Sequence, residues 1–122
     1  MVGYVTLGSN DIPRASAFYD KLLAEVGAKR AMETPTLILW GTGPGAPMLG
    51  VIKPADGKAQ SIGNGVMIAL AAKSQAQVDA IYAKAIALGG KDEGKPGPRG
   101  GGFYAGYFRD LDGNKLNAFF MG

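Results

Sequence analysis

Few groups in this chain could carry out chemistry. Its 122 residues include no cysteine and no histidine. This excludes thiol nucleophiles, imidazole bases, disulfides and the common sulfur and nitrogen ligands of metals. Carboxylates, lysines, tyrosines, hydroxyls and backbone amides remain. We therefore expect either chemistry by one of these groups or binding without any chemistry.

A glycine- and proline-rich segment over 91–102 carries the strongest loop signal in the chain. It reads KDEGKPGPRGGG. A phosphate-binding loop needs a Ser or Thr after its lysine and a helix that starts directly afterwards. Neither feature follows this segment, so the sequence argues against a nucleotide site.

The charge pattern excludes further classes of partner. Thirteen Lys and Arg residues and ten Asp and Glu residues give a net charge of +3. The basic residues are interleaved with acidic ones from Arg14 to Lys115, whereas nucleic acid binding requires them to cluster. No stretch approaches the ~20 apolar residues of a membrane span, and no signal peptide follows Met1. We expect one soluble, cytoplasmic domain that binds neither nucleic acid nor membranes.

Periodicity places two helices among short strands. Apolar residues at spacings of three and four predict helices over about 11–26 and 75–88, with caps at Asn10 or Asp11 and at Ser74. Runs rich in aliphatic and aromatic residues predict strands at about 2–8, 36–41, 47–53, 64–72, 103–109 and 115–121. Weaker runs near 28–33 and 91–95 are candidates for edge strands. The turn at 110–114 predicts that the last two strands are antiparallel neighbours.

The chain contains an internal repeat. An offset of 63 residues pairs Leu7 with Leu70, Ala17 with Ala80, Tyr19 with Tyr82, Lys21 with Lys84, Ala24 with Ala87 and Gly27 with Gly90, without a gap. Strand, cap, helical stripe and terminal glycine recur together, which favours a duplication over chance. The sequence predicts an α+β fold of two βαβββ modules, one over about 1–60 and the other over about 61–122.

This pattern resembles the vicinal oxygen chelate superfamily, which contains glyoxalase I, bleomycin-resistance proteins and extradiol dioxygenases. The resemblance rests on the paired βαβββ pattern and on Val5-Thr6-Leu7 followed by Asn10-Asp11 and a helix with Phe18-Tyr19. It also rests on the segment YFRDLDGNKL over 107–116, which is similar to the family's closing F-x-D-P-D-G-N-x-x-E hairpin. The resemblance implies a glyoxalase-like fold, in which curved mixed sheets form an open cup with the helices outside.

Members of that family that bind metal take ligands from the first strand of each module and from the final strand. By alignment of motifs, these positions fall on Tyr4, Met67 and Asn117, and no Asp or Glu occurs from residue 34 to residue 55 to supply a fourth ligand. A phenol, a thioether and an amide are poor ligands for transition metals. We therefore expect that the metal site has been lost and that the protein uses no cofactor.

Strand alternation then predicts which side chains line the cup. If Tyr4 and Met67 face it, Thr6 does so too, and Asn117 and Phe119 follow from the last strand. Arg99 is included because similar loops edge the cup in the family. Trp40, Tyr104 and Tyr107 lie on strands whose register is less certain. The predicted ligand-binding residues are Tyr4, Thr6, Trp40, Met67, Arg99, Tyr104, Tyr107, Asn117 and Phe119.

Several alternatives stay open. Trp40 could serve only in sheet packing, Met67 could fill a gap, Tyr4 and Asn117 could hydrogen-bond each other, and Arg99 could lie in a solvated connection. We favour a metal-free protein that binds a small aromatic or amphipathic molecule. A metal-independent lyase or isomerase related to glyoxalase I is the alternative enzyme, although an unassisted phenol with a pKa near 10 is a poor base. A homodimer with a filled cup, in a structural or interaction role, is a further alternative, and a homodimer is expected in any case.

Overall fold

The computed structural model describes residues 1–122, which form two compact units, Met1–Ile62 and Gly63–Gly122. Each unit has the order strand, helix and three strands. The elements are β1 (Tyr4–Gly8), α1 (Ile12–Ala24), β2 (Lys29–Glu33), β3 (Leu37–Gly41), β4 (Met48–Ile52), β5 (Ile68–Ala71), α2 (Gln75–Ala87), β6 (Lys91–Pro98), β7 (Phe103–Arg109) and β8 (Lys115–Met121). The predicted α+β fold of two βαβββ modules is confirmed. No helix is long and apolar enough to span a membrane.

Unit 1 is a four-stranded sheet with α1 packed on one face. The strand order is β1-β4-β3-β2, with β1 parallel to β4 and the other pairs antiparallel. Apolar residues of the sheet alternate toward α1, whose own buried stripe meets them. This core contains Leu7, Ile38, Trp40, Leu49 and Val51 from the sheet and Phe18, Tyr19, Leu22 and Leu23 from the helix.

Unit 2 repeats this arrangement with the order β5-β8-β7-β6. Strand β5 is parallel to β8, and the hairpin of β7 and β8 is antiparallel, as its turn sequence predicts. Helix α2 covers one face, where the Tyr104 hydroxyl donates to Asp79 and the Tyr82 hydroxyl donates to Asp92. The buried residues between helix and sheet include Val78, Ile81, Ala85, Phe108, Leu116 and Ala118.

Two strand boundaries differ from the sequence prediction. Strand β6 continues through Pro96 to Pro98, where a loop was expected. It lies at the edge of the sheet and is irregular at two points in its pairing with β7, so prolines without an N–H are tolerated there. Strand β5 begins at Ile68 rather than near residue 64 as predicted, so Val66 and Met67 precede it, and both side chains are exposed.

The two helices have equivalent bounds at the offset of 63, but the glycines of the motifs that end them differ by one residue. Asp11 and Ser74 cap their N-termini by accepting from Arg14 N and Gln77 N, as the offset of 63 requires. At the C-termini, Ala28 N donates to Leu23 O and Gly90 N donates to Ala85 O, which are the long bonds of Schellman motifs. The glycine with positive φ in each motif is Gly27 or Gly89, so the predicted equivalence of Gly27 and Gly90 is wrong by one residue.

A small ion cluster ties α1 to the sheet of unit 1. Asp20 Oδ1 accepts from Trp40 Nε1 at 2.9 Å and from Arg30 Nε at 2.8 Å, and Asp20 Oδ2 accepts from Arg30 Nη2 at 2.7 Å. The Arg30 guanidinium holds the pKa of Asp20 below its ordinary value; the Trp40 N–H adds to this lowering and partial burial opposes it. The charge on Asp20 therefore stabilises the folded state.

Replacing Asp20 by Asn tests this cluster through its pH dependence. The amide oxygen still accepts from Trp40, but the charge opposite Arg30 is lost. Because the folded pKa lies below the unfolded value of about 4, the stabilisation is present above pH ~4 and is lost as the pH falls through the folded value. We expect D20N to unfold at a lower temperature than the wild type at pH 7 and the difference to shrink toward pH 2. A difference that stays constant across thermal melts from pH 7 to pH 2 would contradict the prediction.

Candidate functional site

The face of the unit 2 sheet that points away from α2 gathers polar and aromatic side chains, and we call it the helix-free face of unit 2. Alternation along β8 places Lys115, Asn117 and Phe119 on this face, with Leu116 and Ala118 on the opposite one. The ladder pairs Asn117 with Tyr107 on β7 and with Ala69 on β5. Asn117 therefore lies at the centre of the face.

The side chain of Asn117 is buried without a complete set of hydrogen bonds. The residue is 1% exposed. Its Oδ1 atom is buried and has no hydrogen-bond partner. Nearly all buried polar atoms in folded proteins are paired, because an unpaired acceptor loses its bonds to water without replacement. Asn117 thus offers an acceptor that the rest of the chain does not use.

Two cations lie over the ring of Tyr107, the ladder partner of Asn117. Both the Arg99 guanidinium and the Lys115 ammonium are 5.5 Å from the ring centroid. Arg99 Nη2 also donates to Lys95 O at 2.7 Å. A Cβ on Gly97 would lie 3.2 Å from Arg99 Nη1. The glycine at this position on the edge strand therefore gives the guanidinium room to lie against the sheet.

An aromatic pair flanks Asn117 in the other direction along β8. The rings of Phe103 and Phe119 are stacked with their centroids 5.6 Å apart. Ala69 and Ala105, which are the ladder partners of Asn117 and Phe119, add small apolar side chains. The helix-free face of unit 2 thus runs from a cationic end, through one unpaired acceptor, to an aromatic end.

In unit 1 the corresponding helix-free face is the sheet face opposite α1, and it carries Tyr4 and Thr6. Both side chains are exposed, and Tyr4 is 56% exposed. The ladder partner of Tyr4 is Met48, which lines a cavity of about 500 Å³ at the passage from β3 to β4. Lys29 and the glycines of the segment 41–45 also line this cavity. Among these side chains no buried polar group lacks a partner.

Two residues predicted to line the site lie on the opposite, helix-covered faces. Trp40 is 2% exposed and donates from Nε1 to Asp20 of α1, so it packs between sheet and helix. The Tyr104 hydroxyl donates to Asp79 of α2 at 2.6 Å, which raises the pKa of Tyr104. Both positions correct the prediction. Residue type suggested a binding role, but the ladder register places the side chains with the core.

Met67 lies outside the ladder, immediately before β5, and is 38% exposed. Its position is therefore not fixed by strand alternation. The structure brings Arg99, Tyr107, Asn117 and Phe119 together on the helix-free face of unit 2, and it places Tyr4 and Thr6 on the helix-free face of unit 1.

Lys115 and Phe103 belong to the helix-free face of unit 2 but were missed in the sequence. The signal for Lys115 was present, because it precedes Asn117 by two residues on the same strand. Phe103 is four residues before Tyr107 on β7 and shares its face by the same alternation. Extending the alternation to the ends of both strands would have found them.

The residues at the positions aligned with metal ligands do not suit a metal ion. Tyr4, Met67 and Asn117 supply a phenol, a thioether and an amide, and a transition metal prefers imidazole, thiolate or carboxylate donors. No group of three or more acidic side chains in the structure could hold a metal either. These three side chains therefore do not fit the transition metal that the family resemblance implies.

Comparison with known proteins gives a consistent result. A model of the Glyoxalase/Bleomycin resistance protein/Dioxygenase superfamily matches residues 1–118. The chain is similar to a crystal structure of a glyoxalase/bleomycin resistance protein from Albidiferax ferrireducens T118, with 35% identity, a TM-score of 0.90 and coverage of 100% of this chain and 99% of that one. No curated protein matches the chain significantly.

More distant structures share the fold. One is a glyoxalase/bleomycin resistance protein/dioxygenase family enzyme from Burkholderia phytofirmans PsJN, at 18% identity, a TM-score of 0.79 and 98% coverage of both chains. Another is a lactoylglutathione lyase from Agrobacterium tumefaciens, at 22% identity and a TM-score of 0.73, with 98% of this chain and 92% of that one covered. At these identities the likeness concerns the fold alone.

Proposed function

Because the chain belongs to the glyoxalase/bleomycin resistance protein/dioxygenase superfamily, we propose that it binds a small aromatic or amphipathic molecule without a metal, on the helix-free face of unit 2. One observation carries the proposal: Asn117 Oδ1 is buried at the centre of this face and lacks a hydrogen-bond donor. Because this atom is covered in the ligand-free chain, a ligand that donates an N–H or O–H to it must displace the side chains that cover it, and the new hydrogen bond then removes the deficit.

Leaving a buried acceptor unpaired costs about 1–3 kcal/mol. Leucine has the same number and branching of side-chain heavy atoms as asparagine and would avoid this cost among Phe119, Ala69 and Ala105. An unpaired amide therefore lowers the stability of the free protein. A hydrogen bond from a bound ligand would explain why an asparagine stands at this position.

The surroundings of Asn117 also match a small-molecule site. Such sites are mostly apolar and carry a few placed polar groups that fix the orientation of the ligand. Phe103 and Phe119 supply the apolar area, while Arg99 and Lys115 supply charge over Tyr107. The catalytic alternative has no comparable support, because Tyr4, the phenol that would act as base, is 56% exposed.

Replacing Asn117 by Leu tests the proposal. A library of small neutral and charged aromatic compounds is screened against the wild-type protein by ligand-detected NMR, in buffer that contains EDTA. We expect compounds that bind the wild type and bind N117L at least tenfold more weakly, which corresponds to loss of about one hydrogen bond in a buried site. We also expect N117L to be more stable by about 1 kcal/mol in urea unfolding, because it no longer buries an unpaired acceptor.

Asn64→Leu provides the matched control, since Asn64 is an exposed turn residue of the same unit. N64L should bind the same compounds as the wild type. Equal binding by N117L and wild type would contradict the proposal, and so would a requirement for added metal. If N117L gains stability and no compound binds either protein, Asn117 is not a ligand acceptor and a structural role for the chain is favoured.

A further inference from the structure

The side chains around Asn117 change from cationic to aromatic along the face, and this order favours one class of ligand. Lys115 and Phe119 precede and follow Asn117 by two residues on β8, so they lie on opposite sides of it along the strand. The side chain of Arg99 reaches back from the Phe103 end and adds a second charge over Tyr107, the ladder partner of Asn117. The face is therefore cationic at one end and aromatic at the other.

We propose that the bound molecule is an aromatic organic anion, whose acidic group contacts Arg99 and Lys115 and whose N–H or O–H donates to Asn117 Oδ1. This inference rests on the proposed function and names the ligand class for the same site. A planar guanidinium beside an ammonium is suited to a carboxylate, because Arg presents paired donors and Lys a point charge.

The charge balance of the face supports an anion. Arg109 forms a salt bridge with Glu93, and this hydrogen bond holds the pKa of Glu93 below its ordinary value, with a smaller lowering from Lys115. Neither Arg99 nor Lys115 forms a salt bridge with a carboxylate. Three cations therefore share one carboxylate, and two positive charges on this face lack a partner.

The cations themselves are held by contacts that leave their charge uncompensated. Tyr107 offers both of them the face of its ring, and Arg99 additionally donates to the carbonyls of Lys95 and Pro98. Ring faces and carbonyl oxygens orient a cation but do not neutralise it. An acidic ligand group supplies that missing charge, and the Phe103–Phe119 pair offers a surface for the ring of the same ligand.

The test compares hydroxybenzoates with neutral and donor-free analogues. The 2-, 3- and 4-hydroxybenzoates combine an acidic group, a ring and an O–H donor at three spacings. Their methyl esters lack the charge, and benzoate lacks the donor. By isothermal titration calorimetry, we expect at least one hydroxybenzoate to bind the wild type about tenfold more tightly than its methyl ester and than benzoate.

Variants then separate charge from structure. Arg99→Gln and Lys115→Gln should each weaken binding of the acid by about three- to tenfold and leave the ester unchanged, whereas Arg99→Lys, which keeps the charge but loses the paired donors, should weaken binding of the acid less than Arg99→Gln does. Lys73→Gln, at an exposed position before α2, is the control and should bind as the wild type does. The affinity of the acid, but not of the ester, should fall as NaCl is raised.

The outcomes distinguish this inference from the proposed function. If esters bind as tightly as acids and lose their affinity in N117L, the face binds small molecules but not anions, and the inference is overturned alone. Selectivity for the acid that survives in both R99Q and K115Q also overturns it. If neither the hydroxybenzoates nor any compound of the NMR library binds the wild type, both the inference and the proposed function fail.

Discussion

Substitution of Gly90 by Ala is expected to destabilise the protein by about 3 kcal/mol, at the upper end of the range for overpacking a closely packed site. A Cβ at this position would lie 2.7 Å from Arg109 O and 2.8 Å from Ala85 O. Both atoms belong to the backbone, and Ala85 O also accepts the hydrogen bond from Gly90 N that closes the Schellman motif of α2. Relief of the clash therefore requires α2 and β7 to move apart. Urea unfolding monitored by circular dichroism measures the loss.

The matched control is Gly3→Ala, because a Cβ there meets no atom within 4 Å and the residue has no positive φ. G3A should be as stable as the wild type within a few tenths of a kcal/mol. Unit 1 provides an internal comparison: Ala28 holds the same position in the Schellman motif of α1 and carries a Cβ. Wild-type stability in G90A would show that the contact between Gly90 and Arg109 O is not close.

Substitution of Asp110 by Ala is expected to cost about 3 kcal/mol, from the loss of acceptors for three buried or part-buried donors. Asp110 Oδ1 accepts from Asp112 N and Asn114 N at 2.9 Å, and Asp110 Oδ2 accepts from Asn114 Nδ2 at 3.0 Å. These bonds shape the turn between β7 and β8. Urea unfolding gives the size of the effect, and faster hydrogen exchange of the β7–β8 amides shows its location.

Asp110→Asn separates hydrogen bonding from charge at the same site. An asparagine keeps one oxygen that can accept from the two backbone donors, and the Asn114 amide can rotate to offer its oxygen to the new NH₂ group. D110N should therefore lose less than half of the stability that D110A loses. If the two variants are equally unstable, the charge of Asp110, and not its acceptor geometry, stabilises the turn.

The sequence predicts the fold well because each element of the βαβββ pattern has its own local sequence signal. Caps at Asp11 and Ser74, apolar stripes and the turn over 110–114 each have a distinct composition, and each lies where expected. The offset of 63 holds for the first strands and the helices and fails after them. Gly89, and not Gly90, takes the positive φ, and Val5 pairs with Leu49 whereas Ile68 pairs with Leu116, 67 residues after Leu49. An ungapped alignment cannot detect residues gained or lost in loops.

The candidate site is predicted less completely, because the face of a side chain depends on register. Asn117 and Phe119 could be placed by alternation along β8, a long strand with an unambiguous pattern. Trp40 and Tyr104 could not, since their strands carry large apolar or aromatic residues at consecutive positions and both faces read alike. Only the ladder with neighbouring strands shows that these two side chains meet Asp20 and Asp79 on the helices.

The position that the family resemblance assigns to an acidic metal ligand on the final strand holds an amide, which is neutral and can only accept or donate hydrogen bonds. A site of this kind binds by polar complementarity and apolar contact. The helix-free face of unit 2 has both, in Arg99 and Lys115 at one end and Phe103 and Phe119 at the other.

A crystal structure of the protein grown with a compound selected by the NMR screen, in the presence of EDTA, tests this account most directly. We predict that the compound lies on the helix-free face of unit 2, with an N–H or O–H group within about 3.2 Å of Asn117 Oδ1 and no metal ion between them. A compound bound elsewhere, a protein donor paired with Asn117 Oδ1, or a metal ion held by Asn117 would contradict it.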